Sequence, residues 1–349
     1  MKAVYITEHG GLDVLTYGDL PEPEIGPNDV KVRVGACSLN RLDVFTRLGV
    51  RGTRLDPTQP HILGGDVAGE IVEVGSEVTR LRRGDRVVVN PRLTCGQCRH
   101  CIAGEAELCL SPGRMGQTTA GGYAEYVRAP AVNAVPIPDI LSYEQASCLP
   151  TAFVPCWNML LRRANLKSWE TVLVLSASSG VGTAATQVAK NVVGAKVIAT
   201  TSTDDKAQLA SNLGADEVIN YSNEDIEGRV KDLTDGRGVD VVVDHVGSDF
   251  WPAAFVSLAP GGRYGICGVT SGYKAELQMG SLFLKNQTVF GVFMGRQEDL
   301  RQIVETAGKG VIRAVVHQTF PLKDAARAHE LMESRNFFGK LVLTMADSG

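Results

Sequence analysis

Apolar and polar side chains exchange at almost every step in "DVKVRVGAC" (29–37). "EIVEVGSEV" (70–78), "DRVVVNP" (85–91) and "GGYAEYVRAP" (121–130) repeat that rhythm, with Gly and Pro between the runs. A period of two marks strands with one buried face. Strands this short, this often interrupted, predict a barrel or sandwich over roughly the first 140 residues.

The pattern changes near residue 170. "TVLVLSA" (171–177) is apolar almost throughout, and a Gly-rich turn then opens "VGTAATQVAKNVVG" (181–194), which has helical spacing. "AKVIATTS" (195–202) and "DDKAQLASNLG" (204–214) repeat strand and helix, and "EVINY", "VDVVVDHV" and "GRYGICG" supply further strands. Strands of this apolarity, alternating with helices, predict a parallel sheet covered on both faces. The fold class expected is α/β: a doubly wound Rossmann domain beside a barrel-like domain. The tail returns with an amphipathic stretch, "PLKDAARAHELMESRN", and a last strand, "GKLVLTM". The layout expected is 1–157 for the first domain, 158–290 for the nucleotide domain and 291–349 for the return to the first.

Charge narrows the partners. Lys plus Arg number 35 against 39 Asp plus Glu, a net −4 without any basic run, so nucleic acid is not expected as a partner. "MKAVYITEHGGLDVL" lacks the apolar centre of a signal peptide, and no run reaches the roughly 18 apolar residues of a membrane helix. A cytoplasmic location is expected, with no membrane partner.

Four of the eight cysteines fall in "CGQCRHCIAGEAELC": Cys95, Cys98, Cys101 and Cys109, spaced C-x2-C-x2-C-x7-C. In an unexported chain such clustering favours metal over disulfides. Four thiolates around tetrahedral zinc form a closed structural site with no position for water or substrate. His100 lies between the cysteines in sequence, but four sulfurs fill the shell. The expected work of the metal is local, tying down a lobe of about residues 91–112 that has little core of its own.

"VLVLSASSGVGTAATQVAK" closes a strand and opens a helix, with Ala177, Gly180 and Gly182 as A-x-x-G-x-G. Gly180 lets backbone approach a pyrophosphate, Gly182 permits close helix–strand packing, and the helix N-terminus favours negative charge. Ser178 and Val181 complete the turn. An NAD site places an acid at the end of the second strand; here that position is Thr201 in "IATTSTDDK". No acid there repels a 2′-phosphate, Ser202 can donate to one, and Lys206 can supply charge. Lys206 can equally be a solvated surface lysine. NADPH is the cofactor expected.

The cysteine lobe, "GGDVAGEIVEVGSEVTRLRRGDRV" and "SASSGVG" together resemble the medium-chain dehydrogenase/reductase superfamily over essentially the whole chain. The resemblance implies a GroES-like catalytic domain, an active site between domains, and a homodimer or homotetramer. Zinc alcohol dehydrogenases of that superfamily hold a second, catalytic zinc through a Cys, the His of a G-H-E motif and a later Cys or Asp. Cys37 matches the first position, but Asp66 replaces the His, Val67 the Glu, and Thr151 stands at the third. A rearranged set of Cys37, Asp66 and Cys148 or Cys156 remains as the alternative. "ACSLNRLDVFTRLG" instead resembles the quinone oxidoreductase branch, which has Asn and Asp near the nicotinamide, here Asn40 and Asp43. Two residues depart from that branch: Arg41 stands where proline is usual, and Phe45 where an aromatic hydroxyl often is. Most members of the branch also lack the zinc lobe.

The resemblance further assigns Tyr221 to the 2′-phosphate pocket with Lys206, Val246 and Gly268 to cofactor-lining backbone, Gly291 and Val292 to the carboxamide, and Lys340 to the cofactor's side. It implies hydride transfer from NADPH to a quinone or α,β-unsaturated carbonyl without a catalytic metal. Asn40 is a donor to substrate or nicotinamide, or merely the cap of a helix beginning near Asp43. Asp43 is expected to order Asn40 or the site wall. The rivals are a zinc alcohol dehydrogenase with unusual ligands and a non-catalytic NADPH-binding regulatory protein. An enoyl thioester on an acidic carrier is a variant, in which Arg41, Arg47 and Arg51 meet the carrier unless they are ordinary surface arginines. Residues 47–54 are expected to form a mobile loop.

Overall fold

The computed structural model describes residues 1–50, 54–56 and 58–345. Arg51 and the centre of the expected 47–54 loop lie outside the described residues. The chain forms two compact units, Met1–Thr151 with Arg296–Gly349, and Ala152–Gly295.

In the first unit the alternating runs pair as strands of a seven-stranded sheet. Asp29–Ser38 lies between Asp66–Val74 and Lys340–Thr344, antiparallel to both, and also pairs with Tyr126–Pro130. Val30, Val32 and Val34 point into the core while Lys31 and Arg33 face outward, as a period of two requires. A three-stranded antiparallel sheet built on Lys2–Ile6 shares that core through Val4 and Ile6. Removal of each such Val or Ile from water contributes roughly 1.5–3 kcal/mol.

Register positions the chemistry. Ser38 pairs with Asp66, and Val342 pairs with Ser38 on the other side. Leu39 N–H donates to Leu341 O at 2.9 Å, so one further step sets Lys340 across from Asn40. Asn40 follows the strand and stands at the start of the helix Arg41–Arg47.

The second unit carries six parallel strands: Thr171–Val174, Lys196–Thr201, Glu217–Asn220, Val239–Asp244, Leu258–Ile266 and Thr288–Gly291. Their spatial order, third, second, first, fourth, fifth, sixth, is that of the doubly wound dinucleotide-binding sheet. Val172, Leu173, Val241 and Val242 are wholly buried, which is why these strands read as unbroken apolar runs. The amphipathic tail forms the helix Ala325–Ser334, with Ala328 and His329 inward.

Candidate functional site

Three groupings carry chemistry: a sulfur cluster and a carboxylate network in the first unit, and a phosphate turn in the second.

The sulfur cluster comes from a loop and two short helical turns. Cys98 precedes the turn Arg99–Ile102, and Cys109 follows Ala106–Leu108. Cys95 Sγ lies 3.5 Å from Cys109 Sγ and 4.0 Å from Cys101 Sγ, and Cys98 Sγ lies 3.6 Å from Cys101 Sγ. Four sulfurs each ~2.3 Å from a central zinc stand about 3.8 Å apart, so the donor set fits tetrahedral zinc. Backbone N–H groups of Leu110 and Cys101 draw the Cys98 thiol down to about 6. His100 is turned elsewhere: Nδ1 pairs with Glu105 at 3.2 Å and Nε2 accepts from Arg99. Ile102, Leu108 and Leu110 are exposed, as in a lobe with little core.

The carboxylate network centres on Asp66, which is wholly buried. Its Oδ1 accepts from the Thr151 hydroxyl at 2.6 Å, and its Oδ2 accepts from Asn40 Nδ2 at 2.9 Å and from Thr151 N–H at 3.3 Å. Lys340 Nζ stands 3.8 Å from Oδ2 and donates to Asn40 Oδ1 at 2.7 Å and to Leu39 O at 2.6 Å. The Thr151 oxygen in turn accepts from Arg114 Nη2 at 2.8 Å. Two cations, Lys340 and Arg114, thus stand where a divalent ion would need ligands. Cys37 Sγ is packed against Gly64 and Gly122: a Cβ on either would come within 2.7 and 3.2 Å of it. Burial, then Asp43 and Asp66, push that thiol well up. Among the described residues the four-cysteine set is the one group of three or more His, Cys, Asp or Glu drawn together, so the rearranged Cys37–Asp66–cysteine set is not assembled. A catalytic zinc does not fit here, because the carboxylate's oxygens already serve protein donors.

Asn40 and Asp43 are joined to each other and, through Asn40, to the network. Asp43 Oδ2 accepts the Asn40 N–H at 2.7 Å, which supports the start of the helix, while the Asn40 amide is spent on Asp66 and Lys340. Burial pushes the Asp43 carboxyl up to about 6, against the pull of the Asn40 N–H and of Arg114. Arg47 corrects an expectation. It is 1% exposed, pairs with Glu333 and contacts His329 Nδ1 at 3.3 Å, so it meets no acidic carrier. Arg41 donates to Met332 O at 2.7 Å.

The phosphate turn follows the strand Thr171–Val174. Ser176 takes a left-handed conformation (φ 49°), held by its N–H on Thr200 Oγ1 at 2.9 Å. Ser179 caps the helix Gly180–Gln187, accepting from Gly182 N–H at 2.8 Å. A Cβ on Gly182 would sit 2.3 Å from Ser176 O, so only glycine lets helix and strand approach this closely. Ser178 and Val181 flank that helix start. Thr201 is buried, with its hydroxyl on Thr203 O and its carbonyl accepting Tyr221 N–H. Ser202 and Lys206 are half-buried beyond it, and Tyr221 packs edge-on to Phe250 at 5.0 Å. Val246 and Gly268 lie just past the ends of neighbouring strands, and Val292 N–H donates to Ile266 O beside the exposed Gly291.

Lys340 belongs to the first unit's network, and the structure gives it partners that a strand-end lysine does not reveal. Two residues escaped sequence reasoning. His245 Nε2 lies 2.7 Å from Ser179 Oγ, and burial draws its pKa down to about 4; its signal was a polar residue in "DHVG". Arg114, in "PGRMG", gave no signal at all.

Comparison with known proteins agrees with both units. Residues 26–139 match the family described as "Alcohol dehydrogenase GroES-like domain", and residues 180–309 the one described as "Zinc-binding dehydrogenase". The chain is similar to an NAD-dependent alcohol dehydrogenase of Sulfolobus acidocaldarius, at 31% identity over 98% of this chain and 99% of that one. It is 33% identical to a quinone oxidoreductase of Pseudomonas aeruginosa, covering 98% of this chain and 99% of the other. An acryloyl-coenzyme A reductase of Metallosphaera sedula is also 33% identical, covering 99% and 100%. The crystal structure of an NAD-dependent alcohol dehydrogenase superposes with a TM-score of 0.95 at 41% identity, over 99% of this chain and 100% of that one. With a GroES-like first unit, a Rossmann second unit and relatives matched from end to end, the chain belongs to the medium-chain dehydrogenase/reductase superfamily of oxidoreductases.

Proposed function

We propose that the protein reduces a quinone or α,β-unsaturated carbonyl with NADPH, using no catalytic metal, and carries one structural zinc on Cys95, Cys98, Cys101 and Cys109. The carrying observation is the fate of Asp66 and Thr151. Their oxygens bond each other, Asn40, Lys340 and Arg114, which leaves a network of fixed charges instead of an open ligand set.

Alcohol oxidation leans on a Lewis acid to stabilise the alkoxide. Hydride addition to an electron-poor alkene or quinone needs hydrogen-bond donors at the oxygen where charge collects. When bound, the reduced nicotinamide supplies the hydride. Asn40, fixed through both ends of its amide, holds Lys340 and Asp66 in place, and Asp43 holds the Asn40 backbone. Lys340 therefore acts on the network rather than as a surface cation. On the second unit, the Gly180–Gly182 turn fits a pyrophosphate, and Ser202, Lys206 and Tyr221 would receive a 2′-phosphate because no acid ends the strand at Thr201. A homo-oligomer belongs to the same reading.

The test is a panel. NADPH oxidation with 1,4-benzoquinone and a short enone is expected to exceed alcohol oxidation with NADP+, in protein carrying one zinc per chain. Alcohol turnover that needs a second zinc, lost in Cys37→Ser, would overturn the reading in favour of the alcohol dehydrogenases among the relatives.

A further inference from the structure

Arg114 is an unspent cation. It is 7% exposed, and its one side-chain hydrogen bond among the described residues is Nη2 to the Thr151 oxygen at 2.8 Å. Among the described residues no carboxylate lies within ion-pair reach of its guanidinium, although Asp66 and Asp43 are near enough to act on it through space. Its Nε and Nη1 bond no described residue, yet neither is among the sealed, unpartnered nitrogens of the described residues. Buried arginines normally satisfy their fork, because a charged donor left without its bonds is costly. A buried guanidinium fixed at one nitrogen, with two others neither bonded nor fully sealed, can receive an oxygen from outside the protein.

Its surroundings prepare it for that task. Gly65 lies alongside: a Cβ there would reach ordinary van der Waals contact with Arg114 Nε at 3.8 Å. The Thr151 hydroxyl gives its proton to Asp66, so its oxygen can face Arg114 only as an acceptor, and this fixes the plane of the fork. Asp66 is shared with Lys340 and Asn40, so it does not neutralise Arg114 by contact. The charge of Arg114 remains for a ligand.

We propose that Arg114 is the oxyanion donor of the reaction, binding through Nε or Nη1 the carbonyl oxygen of the quinone or enone. The inference rests on the hydride-acceptor reading above. Hydride arrives at the β-carbon with its electron pair, the alkene pair moves to join the carbonyl carbon, and the carbonyl pair comes to rest on oxygen. Arg114 hydrogen-bonds that enolate oxygen, and a proton from water then completes the α-carbon. For a quinone the same pair rests on one ring oxygen; protonation there, then loss of a proton from the ring carbon that took the hydride and gain of one on the other oxygen, yields the hydroquinone. Arg114 thus takes, with fixed N–H groups, the electrostatic role that a metal holds elsewhere in the superfamily.

The test has two independent readouts on the full chain saturated with NADP+ or NADPH. Arg114→Gln is expected to lower kcat for enone reduction about 100- to 1,000-fold with a small change in KM, and Arg114→Lys to restore part of it. Titration of 4-nitrophenol into the NADP+ complex is expected to raise the phenolate absorption at constant pH, in wild type but not in Arg114→Gln. Full turnover in a folded Arg114→Gln, the same rise in that variant, or no rise in wild type overturns the assignment. Should Arg114→Gln fail to fold, Arg114→Lys and the wild-type titration still decide. A wild type that shows the rise but reduces neither quinone nor enone retires the hydride-acceptor reading and keeps the oxyanion site.

Discussion

The cysteine lobe and the Asp66 network are two sets of potential metal donors in one unit, and they have opposite fates. In the lobe the four sulfurs face one another, with neighbours 3.5–4.0 Å apart. Around Asp66 every oxygen is taken by a hydroxyl, amide or N–H of the chain, with Lys340 at 3.8 Å. A metal site is a convergence of donors whose lone pairs still face one another. Ligand-capable residues that already have partners make an electrostatic scaffold instead.

The largest effect is expected from breaking the lobe. Structural zinc sites bind with about 10–16 kcal/mol of apparent free energy that is also folding free energy. Cys98→Ser, or chelation at neutral pH, is expected to remove all zinc and to open residues 95–109 to proteolysis. Zinc retained in Cys98→Ser would show that a second set of ligands exists.

Next comes the centre of the other set. Asp66→Asn leaves Lys340 buried without its carboxylate, and breaking a buried pair this way costs about 3–5 kcal/mol. Denaturant unfolding is expected to show that loss, with part of it recovered in Asp66→Asn/Lys340→Met. Equal stability of wild type and Asp66→Asn would mean that the network is not electrostatic.

Asp43 sharpens the comparison through pH. Its folded carboxyl sits at about 6, above the ordinary 3.8, because burial disfavours the charge. The folded state therefore holds a proton that the unfolded state has released between these values. The contribution of Asp43 to stability falls as pH rises through that window and is level above it. Asp43→Asn keeps an acceptor for the Asn40 N–H and is expected to lose this slope, a difference of at most about 3 kcal/mol between pH 4 and 7.5. Parallel stability profiles for wild type and variant would contradict the shift.

The smallest effect belongs to the cofactor. Lys206→Ala is expected to raise KM for NADPH about tenfold, one charge-assisted contact, and to leave NADH unchanged. Equal losses for both cofactors would remove Lys206 from the 2′-phosphate.

Much of the fold was legible because it rests on periodicity. The alternation in 29–37 became a strand with Val30, Val32 and Val34 inward, and the apolar run at 171–177 became the central strand of the parallel sheet. The phosphate turn was legible because the Gly182 contact is local, with strand and helix adjacent in sequence. Arg47 was misread for the opposite reason. Its partners, His329 and Glu333, lie 282 and 286 residues away.

The sequence alone determined the two kinds of element, the sheet that would hold a nucleotide, and the four sulfurs, because each depends on spacing within a short segment. Only the tertiary structure decided what Asp66 is. Its neighbours come from residues 40, 114, 151 and 340, brought together by strand register and by the return of the tail into the first unit. A carboxylate's chemistry is set by which donors and charges reach it, and those arrive from distant parts of the chain.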